Sequence, residues 1–193
     1  MDTSRHFEQS QELPPADARF MDETVVQMAE LMTPLYENFS GKVHGGAILS
    51  LLDKVAYVCA SRYAGTYCVT VAVDWVEFRA PVLVGELLQL TARIVHVGRS
   101  SMMVEIVVES QDLRSGALRH TNTCYFSMVA MREGRAVSVP KLNTRLPGDD
   151  LRAKEAALHR ELRQEFRRRH RALLADEQPG GEAEVPATGP RGG

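Results

Sequence analysis

The chain has 193 residues, of which 44% are hydrophobic and 25% are charged, and its formal net charge is -2. This length allows one well-packed domain with tails and leaves little room for a second domain. The small net charge gives no whole-chain case for nucleic acid or an acidic membrane as a partner. No stretch approaches the roughly 18 apolar residues that a membrane-spanning helix requires.

The N-terminal segment and the cysteines predict a cytoplasmic protein. Residues 1–19 are polar, lack the apolar core of a secretory signal and contain a Pro-Pro pair, so they are expected to form a flexible leader. Cys59, Cys68 and Cys124 are an odd set with no CxxC pair. This pattern favours buried thiols in a reducing compartment over a disulfide framework.

The first half of the chain predicts one strand and one long helix. Residues 25–32 mix β-branched and aliphatic side chains before Pro34, which favours a strand, with a short helix as the alternative. A turn-prone stretch covers residues 36–46. Residues 47–62 contain neither Gly nor Pro and are rich in Leu, Ala and Val, so they predict a helix of about four turns.

Four further β-rich segments follow the helix, separated by turn residues. They cover residues 68–78, 87–97, 102–110 and 120–131. Short links between consecutive strands favour an antiparallel meander. The sequence therefore predicts an α+β domain in which a curved antiparallel sheet buries one long helix.

The C-terminal region predicts a basic amphipathic helix over residues 150–174. Between Asp150 and Arg171 it carries eight Lys or Arg and four acids, a local charge of +4. Its interpretations, in order of preference, are a helix packing on its own or a neighbouring subunit, a positive rim that attracts an anionic substrate, and a nucleic-acid or membrane contact. The expected division is a leader (1–19), a domain (20–147), this helix (148–175) and a disordered tail (176–193).

The central helix carries apolar residues around most of its circumference and is expected to be buried on nearly all sides. Its polar residues, including Asp53 and Tyr57, recur at spacings of three and four and so form one narrow stripe. Either this stripe faces solvent and Asp53 pairs with a neighbour, or it lines a crevice where Asp53 serves as a base. Periodicity does not separate these two hypotheses.

The segment before this helix, His44-Gly45-Gly46, has two interpretations. The glycines either make a turn or present free N–H groups at a helix N-terminus, where an oxyanion is stabilised. Asp53 lies seven residues after Gly46, about 10 Å along a helix, whereas both groups would need to lie about 3 Å from one reacting carbon. If both take part, they come from different subunits, and the chemistry requires a dimer.

A set of ordered motifs resembles the hotdog-fold acyl-CoA thioesterases, in particular the cytosolic broad-specificity and brain-type acyl-CoA hydrolases. The similarity spans roughly residues 22–142. It rests on residues 38–46 followed by Asp53, and on residues 73–78, 81–82, 85–86, 97–102, 123–131 and 139–140.

The resemblance implies hydrolysis of acyl-CoA thioesters by a double-hotdog dimer, often assembled as a trimer of dimers (a homohexamer), with active sites at the dimer interface. It implies that Asp53 is the base or the nucleophile, that Asn38 of the partner subunit orients water, and that the Gly45 or Gly46 amide polarises the carbonyl. Coenzyme A belongs to the substrate, and no other cofactor is implied. A non-catalytic acyl-CoA-binding module and a hotdog dehydratase or hydratase, which His44 keeps open, are the alternatives.

The turn formed by Gly98, Arg99, Ser100 and Ser101 resembles the family's coenzyme A-contacting loop. Its backbone N–H groups, hydroxyls and guanidinium suit phosphate, although an ordinary hairpin turn fits the same residues. Lys141 is a further candidate for a phosphate contact. The six histidines and three cysteines show no metal-binding spacing, and neither a GxSxG elbow nor a phosphate-binding GxxxxGK[ST] loop is present.

Overall fold

The computed structural model describes residues 18–176. The predictions made for the leader up to residue 17 and for the tail after residue 176 lie outside this range. The elements in chain order are β1 (Ala18–Phe20), β2 (Val26–Leu31), α1 (Gly45–Ala64), β3 (Cys68–Asp74), β4 (Leu87–Val97), β5 (Ser101–Gln111), β6 (Leu118–Arg132), β7 (Arg135–Ala136), β8 (Lys141–Asn143) and α2 (Asp149–Asp176).

The main sheet has the strand order β2-β4-β5-β6-β3, and each of these neighbouring pairs is antiparallel. The predicted meander is confirmed for β4, β5 and β6 but is wrong for β3, which crosses the sheet to pair with β6. The 12-residue link between Asp74 and Leu87 is long enough for this crossing. β3 ends at Asp74 rather than at the predicted residue 78, because Trp75 adopts a left-handed conformation (φ 49°) that ends the ladder.

Strand periodicity places the core on one face of this sheet. The buried apolar residues of β4, β5 and β6 that face α1 recur at alternate positions, as the two-residue strand period requires. They are Leu88, Leu90, Ala92, Ile94, Met102, Val104, Ile106, Val108, Cys124, Phe126, Met128 and Ala130. α1 fills the concave side with one buried face that includes Leu52, Val55 and Ala56. The architecture is therefore the predicted α+β hotdog arrangement, a curved antiparallel sheet around one long helix.

Irregular pairing and a second small core shape the outer side of the sheet. The register shifts in β3–β6, β4–β5 and β5–β6, and such bulges bend and twist strands. On the outer face, Val95, Met103 and Tyr125 pack with Met21 and Ala156. Ala156 belongs to the second turn of α2, so that helix begins as part of this core.

The chain divides into two compact units between Ala156 and Ala157, inside α2. In the second unit, the helix bears the ion pairs of Glu165 with Arg168 and Arg169. These two arginines lower the pKa of the Glu165 carboxyl to about 2. Within residues 18–176, no helix combines the length and the apolar composition that crossing a membrane would demand.

Candidate active site

The N-terminus of α1 is fixed by a side-chain cap. His44 occupies the N-cap position, and its Nδ1 accepts a hydrogen bond from the N–H of Gly46 at 2.9 Å. The other end closes at Gly65, whose left-handed conformation (φ 67°) brings its N–H to the carbonyl of Ser61. The helix thus spans both glycines, two residues earlier than the apolar pattern predicts.

Asp53 projects from the middle of α1 on its exposed face, where Thr70 of β3 meets it. The Thr70 hydroxyl donates a hydrogen bond of 2.6 Å to Asp53 Oδ1. This contact orients the carboxylate and leaves its second oxygen for another partner. Thr70 was missed by the sequence reasoning, because no local pattern connects a threonine in a valine-rich strand to a helix 17 residues earlier.

The face of α1 that carries Asp53 is only partly polar, which corrects the expectation that the helix is buried on nearly all sides. Large apolar side chains on this face and on the adjoining edge strand β3 are 38% to 76% exposed. We call this set the β3 edge surface; its members are Leu49, Tyr57, Val58, Tyr67, Val71, Val73 and Trp75. An exposed edge strand with apolar side chains is a site for pairing with another chain.

Asn38 lies in a tight turn before α1, and its amide oxygen is fully engaged. Asn38 Oδ1 accepts hydrogen bonds from the Ser40 backbone N–H and hydroxyl, each at 2.8 Å, and from the Lys42 N–H at 3.2 Å. Two of these donors are backbone amides, so the oxygen and nitrogen of the side chain are unambiguous. The Asn38 NH₂ group is therefore the part of the side chain that remains available, and it can serve only as a donor.

The two glycines at the start of α1 differ in what they offer a ligand. The Gly46 N–H is already bonded to His44, and a Cβ at Gly46 would come within 2.9 Å of the His44 ring. The Gly45 N–H makes no hydrogen bond to any residue in the described range, as befits the first residue of a helix. Of the two candidate oxyanion donors, Gly45 is the free one.

Asp53 and Gly45 lie far apart within one chain. Eight residues of continuous helix separate them, which corresponds to about 12 Å. No hydrogen bond joins Asp53 to Asn38 among the described residues either. The single chain thus brings Asp53 to Thr70 but does not bring it to the other two predicted site residues.

The turn of Gly98, Arg99, Ser100 and Ser101 lies close to the Asp53–Thr70 pair in the sheet. Ser101 pairs with Val129 of β6, and Val129 pairs with Val69 of β3, the neighbour of Thr70. Two strand spacings of about 4.8 Å therefore separate the turn from β3, the strand whose Thr70 contacts Asp53.

The segment just before Lys141 is hydrogen-bonded to the same turn. The N–H of Val139, two residues before Lys141, donates to the carbonyl of Arg99 at 3.0 Å. The Arg99 and Lys141 side chains are exposed, and neither has an ion-pair partner in the part of the chain that the structure describes. Both cations are therefore available to an anionic ligand.

The buried thiols are not reactive nucleophiles. Cys59, Cys68 and Cys124 are free and buried. Burial raises the pKa of the Cys59 and Cys124 thiols to about 12, so neither is a thiolate nucleophile near neutral pH. Residues 18–176 contain no group of three or more His, Cys, Asp or Glu side chains placed to hold a metal ion.

Comparison with known proteins places this geometry in a family. The sequence profile of the thioesterase superfamily matches residues 40–117. The protein VdlD of Helicobacter pylori is 42% identical over 142 residues, covering 74% of this chain and 82% of the relative. A protein of Zymomonas mobilis described as an uncharacterized acyl-CoA thioester hydrolase is 38% identical over 118 residues, covering 60% of this chain and 79% of the relative.

A solved structure shares the fold. A crystal structure of an apo-hexameric acyl-CoA thioesterase superposes with a TM-score of 0.75 at 27% identity, covering 78% of this chain and 97% of the other. Sheet, central helix and connectivity are therefore common to both chains.

Proposed function

Because the chain belongs to the hotdog-fold acyl-CoA thioesterases, we propose that it hydrolyses acyl-CoA thioesters to a free acid and coenzyme A, with Asp53 at the centre of the reaction. The observation that supports this role is the Thr70 hydroxyl held 2.6 Å from Asp53. It fixes one carboxylate oxygen on a face that also exposes the large apolar side chains of Leu49, Tyr57 and Val58. A positioned carboxylate in such surroundings suits proton abstraction.

In the proposed reaction, Asp53 takes a proton from water while the water oxygen bonds to the thioester carbon. The carbonyl π electrons move onto oxygen, and the Gly45 N–H at the positive end of α1 stabilises the resulting oxyanion. When the oxyanion collapses, the C–S bond breaks, and the thiolate leaves as coenzyme A with the proton held by Asp53. The Asn38 NH₂ group donates to the attacking water and so holds its lone pair toward the carbon.

Direct attack by Asp53 is the other route to the same products. A carboxylate oxygen then bonds to the thioester carbon, coenzyme A leaves, and water hydrolyses the mixed anhydride. Water that attacks the aspartyl carbon of this anhydride leaves its oxygen in Asp53, so oxygen-18 from labelled water in the Asp53 carboxylate after a single turnover identifies this route, because direct attack on the thioester carbon labels only the free acid.

We place the complete site between two protomers. A separation of about 12 Å along α1 prevents Gly45 and Asp53 of one chain from touching the same carbon. A two-fold axis beside the β3 edge surface sets Asn38 and Gly45 of one protomer against Asp53 of its partner, in a double-hotdog dimer. A further step to a trimer of dimers is supported by the similar thioesterase that is described as hexameric.

Binding of the coenzyme A portion is assigned to the turn of Gly98, Arg99, Ser100 and Ser101 with Lys141. Two exposed cations near backbone N–H groups and hydroxyls suit the phosphates of coenzyme A. The nucleotide is part of the substrate, so no separate cofactor is proposed. The free thiols favour a cytoplasmic site of action, where acyl-CoAs of fatty acid metabolism are the candidate substrates.

Thiol release from acyl-CoAs of different chain length tests the proposal. Asp53→Asn keeps the size and the Thr70 contact but removes the base, so the turnover number is expected to fall by at least about a hundredfold. Glu161→Gln, the same chemical change at an exposed helical acid, is the matched control and should keep full activity.

Three results argue against the proposed mechanism. If Asp53→Asn keeps the wild-type turnover, Asp53 has no part in the mechanism. Absence of thiol release across the panel favours a non-catalytic binding module. Addition of water across an enoyl-CoA double bond favours a hydratase.

A further inference from the structure

One side of α2 carries a stripe of exposed apolar side chains. Its five members are between 54% and 68% exposed; they are Leu151, Leu158, Leu162, Phe166 and Leu173. At 100° per residue they lie within about 40° of the direction of Leu162. An exposed apolar stripe of this length is typical of an interaction surface.

The spacing of the stripe is symmetric about Leu162. Leu158 and Phe166 lie four residues before and after it, and Leu151 and Leu173 lie eleven residues before and after it. Two copies of α2 that cross antiparallel at Leu162 therefore place Leu151 against Leu173 and Leu158 against Phe166. Every apolar side chain meets another, as a self-complementary two-fold interface requires.

Two charges within the stripe identify the orientation of the pair. Glu155 and Arg169 lie seven residues before and after Leu162 and within about 20° of its direction. Antiparallel copies set Glu155 against Arg169, whereas parallel copies set Glu155 against Glu155 and Arg169 against Arg169. A lipid surface is disfavoured, because both charges would enter its apolar layer.

We infer that the α2 helices of two copies of this chain pair antiparallel about Leu162, in an interface separate from the β3 edge surface. Arg169 contacts Glu165 of its own helix at 2.6 Å, but its side chain is 75% exposed and can turn toward a second helix. Two different two-fold interfaces on one chain join dimers into larger assemblies. The inference does not depend on thioester hydrolysis.

Cysteine crosslinking of the full chain tests this pairing. Leu162→Cys should form a disulfide-linked dimer under mild oxidation, because the residue meets its own copy at the two-fold axis. Leu151→Cys and Leu173→Cys should not crosslink alone but should crosslink when the two variants are co-expressed. The three native cysteines are buried, so the wild-type chain gives the background.

Gln164→Cys, on the opposite side of the helix, is the matched control and should remain monomeric on a non-reducing gel. If Leu162→Cys crosslinks no more than this control, the pairing does not exist. If Leu151→Cys and Leu173→Cys each crosslink with themselves, the helices pair in parallel and the inferred orientation is wrong.

A mass measurement gives a second, independent test. Leu162→Glu should lower the mass of the assembly in solution by at least twofold, while Gln164→Glu should leave it unchanged. An unaltered mass for Leu162→Glu contradicts the inference. Thiol release reports separately on the catalytic proposal, because α2 carries none of its residues.

Discussion

Thr70 reaches Asp53 across the gap between an edge strand and the central helix, and this contact is the most specific feature of the site. A hydrogen bond to a charged group contributes about 1.5–3 kcal/mol when it is shielded from water. Both side chains are exposed in the single chain, and in the proposed dimer, where a partner covers the β3 edge surface, the contact would be stronger. Thr70 is therefore a positioning residue for Asp53.

Removing the Thr70 hydroxyl should slow the reaction without unfolding the protein. Thr70→Val keeps the shape of the side chain and loses the donor, and we expect kcat to fall about tenfold, with KM and the thermal midpoint little changed. Steady-state thiol release and a melting curve measure the two effects.

Thr70→Ser is the matched control for this prediction, because it retains the hydroxyl. It should recover most of the wild-type turnover. Equal kcat values for Thr70→Val and the wild type would show that the hydrogen bond has no catalytic role.

At the scale of elements, the first turns of α2 are tied to the outer face of the sheet through Glu105 of β5. Its carboxylate lies 3.7 Å from Arg93 of β4 and 3.5 Å from Arg152 of α2, and its side chain is 7% exposed. Burial raises the pKa of Glu105, an effect that the two arginines oppose and that Glu155 reinforces, while the Tyr125 hydroxyl donates to the carboxylate. The raised pKa means that folding favours the protonated form.

This raised pKa predicts a pH dependence of stability. As the pH rises, Glu105 of the unfolded chain ionises near the ordinary pKa of 4.5, whereas Glu105 of the folded protein ionises at a higher pH. The contribution of protonated Glu105 to the free energy of unfolding is therefore complete below that pH, and it is lost as the pH rises through the pKa of Glu105 in the folded protein. Urea unfolding between about pH 4 and pH 7 should show the wild type losing free energy of unfolding relative to Glu105→Gln.

Glu109→Gln, on the same strand but less buried, controls for removal of a carboxylate from β5. Across the same pH range, its free energy of unfolding should follow that of the wild type more closely than the free energy of unfolding of Glu105→Gln does. The difference in free energy of unfolding between the wild type and Glu105→Gln should change with pH. A difference that stays constant, or that changes in the opposite direction, contradicts the assignment of this pH dependence to Glu105.

At the scale of the whole molecule, the proposed dimer uses the β3 edge surface for both assembly and activity. The edge strand offers unpaired backbone groups, and its exposed Val71 and Val73 offer apolar area to a second copy. In the proposed dimer the same contact completes the active site. Assembly and activity should therefore be lost together.

A charge on the edge strand tests this link. Val71→Asp places a carboxylate in the proposed interface, where it would be buried without a partner, so the mass in solution should drop by at least half and thiol release should disappear. Leu113→Asp, at a residue that is as exposed as Val71 but lies in the turn after β5, should change neither. Sedimentation and far-UV circular dichroism separate dissociation from unfolding.

If Val71→Asp dissociates and remains active, the site is complete within one chain. If Leu113→Asp also dissociates, the effect is not specific to the edge strand. Either result would overturn the assignment of the active site to a two-fold interface at β3.

By itself, the sequence determined both helices and the five strands of the main sheet, because their signals are local, whereas the short strands β1, β7 and β8 were not predicted. Runs of β-forming residues bounded by turn residues predicted β4, β5 and β6 to within two residues at each end, and the absence of Gly and Pro predicted α1. Ordered motifs such as residues 38–46 followed by Asp53 identified the family. Both kinds of signal depend on neighbours along the chain.

Tertiary structure alone decided which distant groups meet. The pairing of β3 with β6 rather than β4 brings Thr70 to Asp53, and the sequence contains no signal for that choice, because β3 is compatible with either neighbour. The His44 cap likewise distinguishes Gly45 from Gly46, since a hydrogen bond depends on geometry of a few tenths of an ångström. Periodicity specifies which face of an element is buried, but only the folded chain specifies what that face meets.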